Sequence, residues 1–329
     1  MTRQPNERNA GAPEPAAAPT GTATFSWWEA LKRTFREFRE DNLSDLAAGL
    51  TYYGLLALFP ALLVLVSLLG LAGPGATRTL TDNAEAVLPA DVAEVVTSAI
   101  QNLQGNPAAA GIVGLVSLAI ALWSASGYIA AFMRASNIVY DVPEGRPVWK
   151  TLPVRVGVTL LLVVLLTFTV LAIAATGAVS QRIGQVLGLG PVVATVWDIA
   201  KWPVLLLMVV FMIALLYWAS PNARHGFRWF SPGSLLAVGI WLVASALFAV
   251  YVANFGSYDR TYGSLAALVV FLVWLWITNI AILLGAEFNA EVERGRAVEA
   301  GLPQGEEPYV QMRDVPEQRR PAPGRQRSV

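Results

Sequence analysis

The sequence predicts an all-α integral membrane protein: a bundle of six transmembrane helices with cytoplasmic N- and C-termini, an N-terminal interfacial helix and short amphipathic external helices. The chain has 329 residues, of which 55% are hydrophobic and 14% are charged, whereas soluble domains contain roughly 25% charged residues. The deficit is concentrated in residues 46–286, which contain only 10 Lys/Arg and 8 Asp/Glu. A soluble protein could not cover so long an apolar stretch with polar surface, so a membrane protein is indicated.

Six apolar stretches reach or approach the ~20 residues that cross a hydrocarbon core about 30 Å thick. We predict spans at about residues 46–72, 108–132, 156–179, 202–218, 232–255 and 264–285. Pro203 and Pro232 lie where the first helical turn tolerates proline, and Ser231 is a suitable N-cap for the fifth span. Pro60 lies near the middle of the first span, where it removes a backbone hydrogen bond, so we expect a kink there.

Less apolar segments surround and interrupt these spans. The membrane domain covers residues 25–295, between a tail at 1–24 that is predicted to be disordered and a mostly disordered cytoplasmic tail at 296–329. Apolar residues recur at helical spacing in residues 26–40, which favours an interfacial helix over a short soluble helix packed on the bundle. The long external loop at 73–107 is expected to contain two short amphipathic helices.

The distribution of basic residues predicts the orientation of the bundle. With a cytoplasmic N-terminus, the inside segments contain 19 Lys/Arg and the outside segments contain four. Arg155 is counted here in the inside loop that precedes the third span. Because cytoplasmic loops are enriched in Lys and Arg, both termini are expected inside.

Several classes of chemistry are disfavoured by missing residues. The chain has no Cys and a single His, His225, so thiolate catalysis, disulfides and sites with several Cys or His ligands are excluded. Neither an H-E-x-x-H sequence nor a Walker A motif is present. We therefore expect no ATPase or other enzymatic activity, no cofactor and no metal, and His225 is interpreted as a solvated loop residue.

The candidate functional residues are polar groups at or near membrane depth, where they are energetically expensive. One set is predicted to form an inner polar cluster: Asp45, Arg134, Asn137, Arg146 and Glu287. This cluster is either a polar pocket open to the cytoplasm or ordinary interfacial charge pairing. Two amides are further candidates within the spans: Asn279 lies near the middle of the sixth span and Asn254 near the outer end of the fifth. Asn279 needs a hydrogen-bond partner, which another helix can supply.

Three blocks of sequence carry a resemblance to a known family. They lie at residues 41–71, at 137–147 (NIVYDVPEGRP) and at 217–294, in this order. Together they resemble the YihY/BrkB family of bacterial inner-membrane proteins, and one departure is Ala57, where many relatives have Ser. The resemblance implies a six-span helical bundle in the plasma membrane and a link with the cell envelope and with lipid or glycolipid export. Members were long labelled ribonuclease BN, but this chain has neither a nuclease metal site nor a clustered RNA-binding face.

Two functions are favoured at this point, and a membrane enzyme or ribonuclease is the least favoured third. The first is a membrane protein that handles or translocates an envelope lipid or amphiphile without ATP hydrolysis. The alternative is a structural or assembly protein for envelope integrity, with no transported substrate. The expected partners are membrane lipids and either a second copy of the chain or other envelope proteins, with no nucleic acid.

Overall fold

The computed structural model describes residues 25–71, 107–174, 190–254, 264–303, 305 and 307–316. Within these residues the regular structure consists of seven helices and an isolated β-bridge between Ala223 and Met312. The helices are α1 (Trp27–Glu40), α2 (Leu43–Leu71), α3 (Pro107–Val139), α4 (Val148–Ala174), α5 (Gly190–Ala219), α6 (Pro232–Asn254) and α7 (Ser264–Glu299). The all-helical fold class is therefore confirmed.

The amphipathic helix expected near the N-terminus is α1. The Ser26 side chain caps it by accepting a hydrogen bond from the backbone N–H of Glu29. Ala30 and Thr34 are buried, and Ala30 packs against Phe288 and Val292 of α7. The opposite side exposes aromatic residues, among them Trp28, so α1 both packs on the bundle and presents an apolar surface to its surroundings.

The best-packed part of the core lies at one end of the bundle. This end contains the starts of α2, α4 and α6 and the ends of α3, α5 and α7, and we call it the polar end. The buried apolar side chains here include Leu43, Leu50, Phe132, Tyr140 and Leu283. Helices α2 and α3 pack closely together, and α7 packs on α6, α2 and α1. Toward the other end, α4, α5 and α6 expose rows of large apolar side chains, which is typical of helices that face lipid.

In the part of the chain that the structure describes, four segments are long and apolar enough to cross a membrane: Val148–Thr169, Ile199–Ala219, Pro232–Asn254 and Leu268–Glu299. They correspond to the last four predicted spans. The first two predicted spans coincide with α2 and α3, whose side chains are described only in part. The structure therefore supports a multi-pass membrane protein, while the count of six spans and the direction of the termini remain predictions.

Several helix boundaries differ from the prediction. Helix α4 begins at Val148, eight residues before the predicted third span, and α5 begins at Gly190 rather than 202. Pro203 consequently lies in the interior of α5, not in its first turn, and α4 contains Pro153. Packed membrane helices tolerate such prolines because the freed carbonyl groups find other partners. Pro232 at the start of α6 and the cap from Ser231 agree with the prediction, since Ser234 N–H donates to Ser231 Oγ at 3.0 Å.

Some predictions fall outside the described residues. These are the disordered tail at 1–24 and almost all of the external loop at 73–107. Helix α2 continues through Pro60, but the proline side chain is not among those described, so the kink remains a prediction. In the C-terminal region α7 extends to Glu299 and residues 307–316 return to the bundle, while the remainder of the predicted disordered tail, at 317–329, lies outside the described residues.

Candidate functional site at the polar end

An ion pair between buried Arg146 and the more exposed Glu144 organises the loop between α3 and α4. The Arg146 guanidinium donates from Nε to Glu144 Oε1 and from Nη2 to Glu144 Oε2, each at 2.8 Å. Arg146 Nη2 also donates to the Ser220 carbonyl at the end of α5. Burial raises the pKa of the Glu144 carboxyl, but hydrogen bonds from Arg146 and Asn137 outweigh it and hold that pKa below its usual value. Arg146 therefore lies in a structural network that leaves its own buried Nη1 and the buried Ser220 Oγ without a hydrogen-bond partner among the described residues.

Asn222, in the loop between α5 and α6, connects three segments of the chain. Its backbone N–H donates to Asn137 Oδ1 at 2.7 Å. Its side-chain Nδ2 donates to the carbonyls of Pro143 and Asp314, and its Oδ1 accepts from the Asp314 N–H. Asn222 is fully buried, so these bonds satisfy a side chain that would otherwise be costly at this depth.

The segment 307–316 packs across the loops at the polar end. Arg224 N–H donates to the Gln311 carbonyl at 2.7 Å, and Arg313 N–H donates to the Asn222 carbonyl at 2.9 Å. Lys150 and Asp314 form an ion pair at 2.6 Å. Gly145 lies directly against the Asp314 backbone, and a Cβ atom at this position would clash with it. The C-terminal segment is thus part of the folded unit.

Glu287 of α7 is the least satisfied buried charge in this region. Its side chain is 2% exposed, and its Oε2 has no hydrogen-bond partner. The nearest charges are acidic, from Asp41, Glu291, Glu37 and Asp141. Glu291 differs from Glu287 because Arg33 and Arg294 pair with it at 3.3 and 3.5 Å.

The two aspartates nearby lie in loops, Asp41 between α1 and α2 and Asp141 after α3. Burial and the surrounding carboxylates raise the pKa of each to about 6. Protonation is therefore easier at this end of the protein than at an ordinary acidic surface. We call Asp41, Asp141 and Glu287 the acidic cluster.

A pocket opens beside this cluster, between α5, α6, α7 and the loop at 220–231. Polar and aromatic side chains line it: Tyr140, Tyr217, Trp218, His225, Arg228, Ser231, Asn289, Glu293 and Arg296. Asn289 is held in place because Gly233 N–H donates to its Oδ1 and its Nδ2 donates to Ser231 Oγ. The positive charges of Arg228 and Arg296 both act on Glu293, so these three charged side chains give the pocket a net positive charge.

His225 is not the solvated loop residue that the sequence suggested. Its ring stacks on Tyr140 with centroids 5.5 Å apart, and its Nε2 lies 3.1 Å from the Tyr217 carbonyl oxygen. Burial lowers the pKa of His225, so the ring is neutral at pH 7, and its buried Nδ1 has no hydrogen-bond partner. Sequence reasoning missed this role because Tyr140 is distant along the chain and the contact with the Tyr217 carbonyl depends on how the loop after α5 folds back.

The predicted inner polar cluster is divided among three environments. Asn137 and Arg146 belong to the network around Glu144 and Asn222, and Glu287 belongs to the acidic cluster. Asp45 and Arg134 are exposed on the sides of α2 and α3. The five residues therefore share one end of the bundle but do not line one pocket.

The two deeper amides also differ. Asn279 is buried, accepts a hydrogen bond from Tyr128 Oη at 2.8 Å and donates to Thr51 Oγ1 at 3.1 Å. It therefore joins α7 to α3 and α2, and its hydrogen-bond partners lie on other helices, as the sequence suggested. Asn254 is exposed, and its Nδ2 donates to the Val250 carbonyl of its own helix. Neither amide is left unsatisfied.

Comparisons with known proteins agree with this architecture. Residues 34–309 match the family described as virulence factor BrkB. The ribonuclease-like protein YfkH of Bacillus subtilis is 31% identical over 266 residues, covering 79% of this chain and 94% of the relative. A membrane protein of Alkalilimnicola ehrlichii is 33% identical over 273 residues, covering 80% of this chain but only 59% of its own length.

A third relative is covered more completely than the Alkalilimnicola protein. The membrane protein of Aggregatibacter aphrophilus is 25% identical over 280 residues, which is 82% of this chain and 94% of that protein. No solved structure gives a significant match. Because the family match extends over most of the chain and over every described helix at least in part, the protein is a multi-pass bacterial membrane protein that belongs to the BrkB family.

Proposed function

We propose that this protein handles an envelope lipid or another amphiphile at the membrane interface, without ATP hydrolysis. The observation that carries the proposal is the pocket at the polar end, where polar groups and a net positive charge lie next to exposed aromatic side chains. An amphiphile needs both features, because its headgroup requires polar partners while its chains remain in an apolar environment.

The loop beside the pocket supplies the apolar half of such a site. Trp229 and Phe230 are largely exposed, although they directly follow Arg228 of the pocket. Phe227 and Trp229 also form an aromatic group with Phe211 of α5. Aromatic side chains of this kind are enriched at membrane interfaces, where one face contacts lipid and the other contacts polar groups. Headgroup partners and lipid-contacting rings therefore lie side by side.

The test is movement of leaflet-labelled lipids in proteoliposomes, with phospholipid and polyprenyl or glycolipid probes. Arg228→Gln removes a pocket charge, and Arg224→Gln is the matched control because Arg224 lies four residues away and does not line the pocket. We expect movement above protein-free vesicles, and a rate about tenfold lower for Arg228→Gln, equivalent to ~1.4 kcal/mol. A folded wild-type protein that moves none of the probes would overturn the proposal.

The second candidate is a structural or assembly protein of the envelope without a transported substrate. The network around Arg146 and Asn222 favours it, because these groups hold the loops and the C-terminal segment together and are inaccessible to a ligand. If no lipid moves, this candidate becomes the better explanation, and the search turns to envelope proteins that co-purify with the chain or to a second copy of it. Neither candidate requires catalysis, and the ribonuclease-like name is a property of the Bacillus subtilis relative, not a finding about this chain.

A further inference from the structure

An arginine lies within a candidate membrane span, on the side of the bundle formed by α2, α3 and α4. Arg155 is seven residues past the start of α4 and falls inside Val148–Thr169. The sequence prediction had placed this residue in the preceding loop, where a cation needs no explanation. Inside a span a cation is costly, so it indicates a functional group.

Contacts with α3 hold the Arg155 side chain in one position. Its Nε donates to Ser126 Oγ at 2.7 Å, and its Nη2 lies 3.2 Å from the Trp123 carbonyl oxygen. The guanidinium also lies over the Trp123 ring, 4.9 Å from the centroid. Ser126 is 13 residues before the end of α3, or about 20 Å along the helix axis. These neutral contacts orient the guanidinium but do not neutralise it.

A second cation lies nearby. Arg134 is exposed on α3, and its guanidinium is 5.7 Å from the centroid of the Tyr53 ring of α2. Arg134 is close enough to repel the charge on Arg155. Among the described residues, neither arginine has an acidic partner within the 4.0 Å of an ion pair. In contrast, Arg33, Arg146 and Arg294 each pair with a glutamate.

The surface around the two arginines is apolar and open. Trp123 and Ile120 of α3 are 60% and 61% exposed, and Tyr52 of α2 is 59% exposed. Such a surface on a membrane bundle faces lipid rather than water. An anion that reaches these arginines from the bilayer must therefore be attached to an apolar chain. Guanidinium groups favour phosphate because their planar N–H groups match its oxygens.

We propose that Arg134 and Arg155 form a binding site for the phosphate of an anionic membrane phospholipid, and that its acyl chains lie along Trp123 and Ile120. This site is separate from the pocket between α5, α6 and α7. It does not depend on lipid movement, so it can hold whether or not the proposed function is correct.

Native mass spectrometry of the purified full-length protein in detergent tests the site. The probe is phosphatidylglycerol, with zwitterionic phosphatidylcholine as the lipid control. We expect the double variant R134Q/R155Q to lose about tenfold in affinity for phosphatidylglycerol. R39Q, which removes one exposed charge from α1, is the control for nonspecific attraction and should bind within about twofold of the wild type.

Two further measurements keep the result unambiguous. Arg155→Lys retains the charge but loses the planar geometry and the bond to Ser126, so we expect an affinity between those of the wild type and the double variant. If the double variant unfolds, Arg155→Lys tests the site in its place. Competition with soluble glycerol 3-phosphate distinguishes a lipid site from a phosphate site and should be ineffective. Unchanged binding in folded variants, equal binding of both lipids, or effective competition by glycerol 3-phosphate would each overturn the proposal.

Discussion

Individual polar residues in this protein differ mainly in whether the fold gives them a partner. Asn279 is buried between three helices, and its hydrogen bonds to Tyr128 and Thr51 satisfy both ends of its amide. Glu287 is equally buried, but its Oε2 has no partner and its neighbours are acidic. Two equally buried polar residues can therefore have opposite effects, because a satisfied side chain stabilises the fold and an unsatisfied one destabilises it.

This contrast leads to a prediction for Glu287→Gln. The amide keeps the shape of the side chain and removes the cost of burying an ionisable carboxyl among acidic neighbours. The melting temperature should therefore rise by a few degrees, about 1 kcal/mol or more. Glu293→Gln is the matched control, because Arg228 and Arg296 lie near Glu293 and the same change removes an attraction. Thermal unfolding in detergent at pH 7 measures both. A lower melting temperature for Glu287→Gln would mean that the carboxylate has an essential partner.

Helices α6 and α7 approach each other at a pair of glycines. A Cβ atom on Gly285 would lie 2.5 Å from Tyr217 Oη and 2.7 Å from Ala237 Cβ, and one on Gly233 would meet the Gly285 carbonyl oxygen and lie 2.6 Å from Asn289 Cγ. Small residues permit such close contact between membrane helices. The same contact brings Asn289 to the start of α6, where it lines the pocket at the polar end.

Gly285→Ala should therefore destabilise the protein by several kcal/mol, because backbone atoms and a buried tyrosine must move to admit one methyl group. Gly239→Ala on α6 is the control, since nothing lies within 4 Å of its Cβ position. That change should be neutral or slightly stabilising, by up to about 1 kcal/mol, because alanine favours the helix. Urea or thermal unfolding compares the two variants. Equal stability for both would show that the helices do not approach here.

At the scale of the whole molecule, the two ends of the described chain meet at the polar end. Helix α1 packs on α7, and the segment 307–316 bonds to Asn222 in the loop between α5 and α6 and to Lys150 in the first turn of α4. The described chain therefore begins and ends at the same end of the bundle, as the prediction of two termini on one side of the membrane requires. The excess of Lys and Arg in the segments at this end favours a cytoplasmic location for it.

The orientation can be tested cleanly because the chain contains no native Cys. Ala300→Cys places one exposed thiol just past α7. A membrane-impermeant maleimide should fail to label it in intact cells and should label it after permeabilisation. Labelling of intact cells would place the polar end outside and reverse the predicted topology. A cysteine in the predicted external loop at 73–107 should show the opposite behaviour.

Hydropathy, length and charge asymmetry were sufficient to predict the helical membrane class, the last four spans, the amphipathic α1 and the N-cap at Ser231. These features depend on neighbours within one or two helical turns, so they can be read along the chain. The start of α4 was missed because Arg146, Lys150 and Arg155 interrupt the hydropathy although the backbone is already helical. The same error concealed Arg155 as a residue within a span.

Only the tertiary structure decided which polar groups meet. It separated Asn137 and Arg146 from Glu287, connected Asn222 to a C-terminal segment 92 residues away, and placed His225 against Tyr140. Such contacts depend on how the helices cross and which loops pack together, and these are set by side-chain packing between segments distant in sequence. The sequence by itself determined that the protein resides in a membrane, because apolar length is a local property. The sites remained undetermined because a site requires residues from several helices at once.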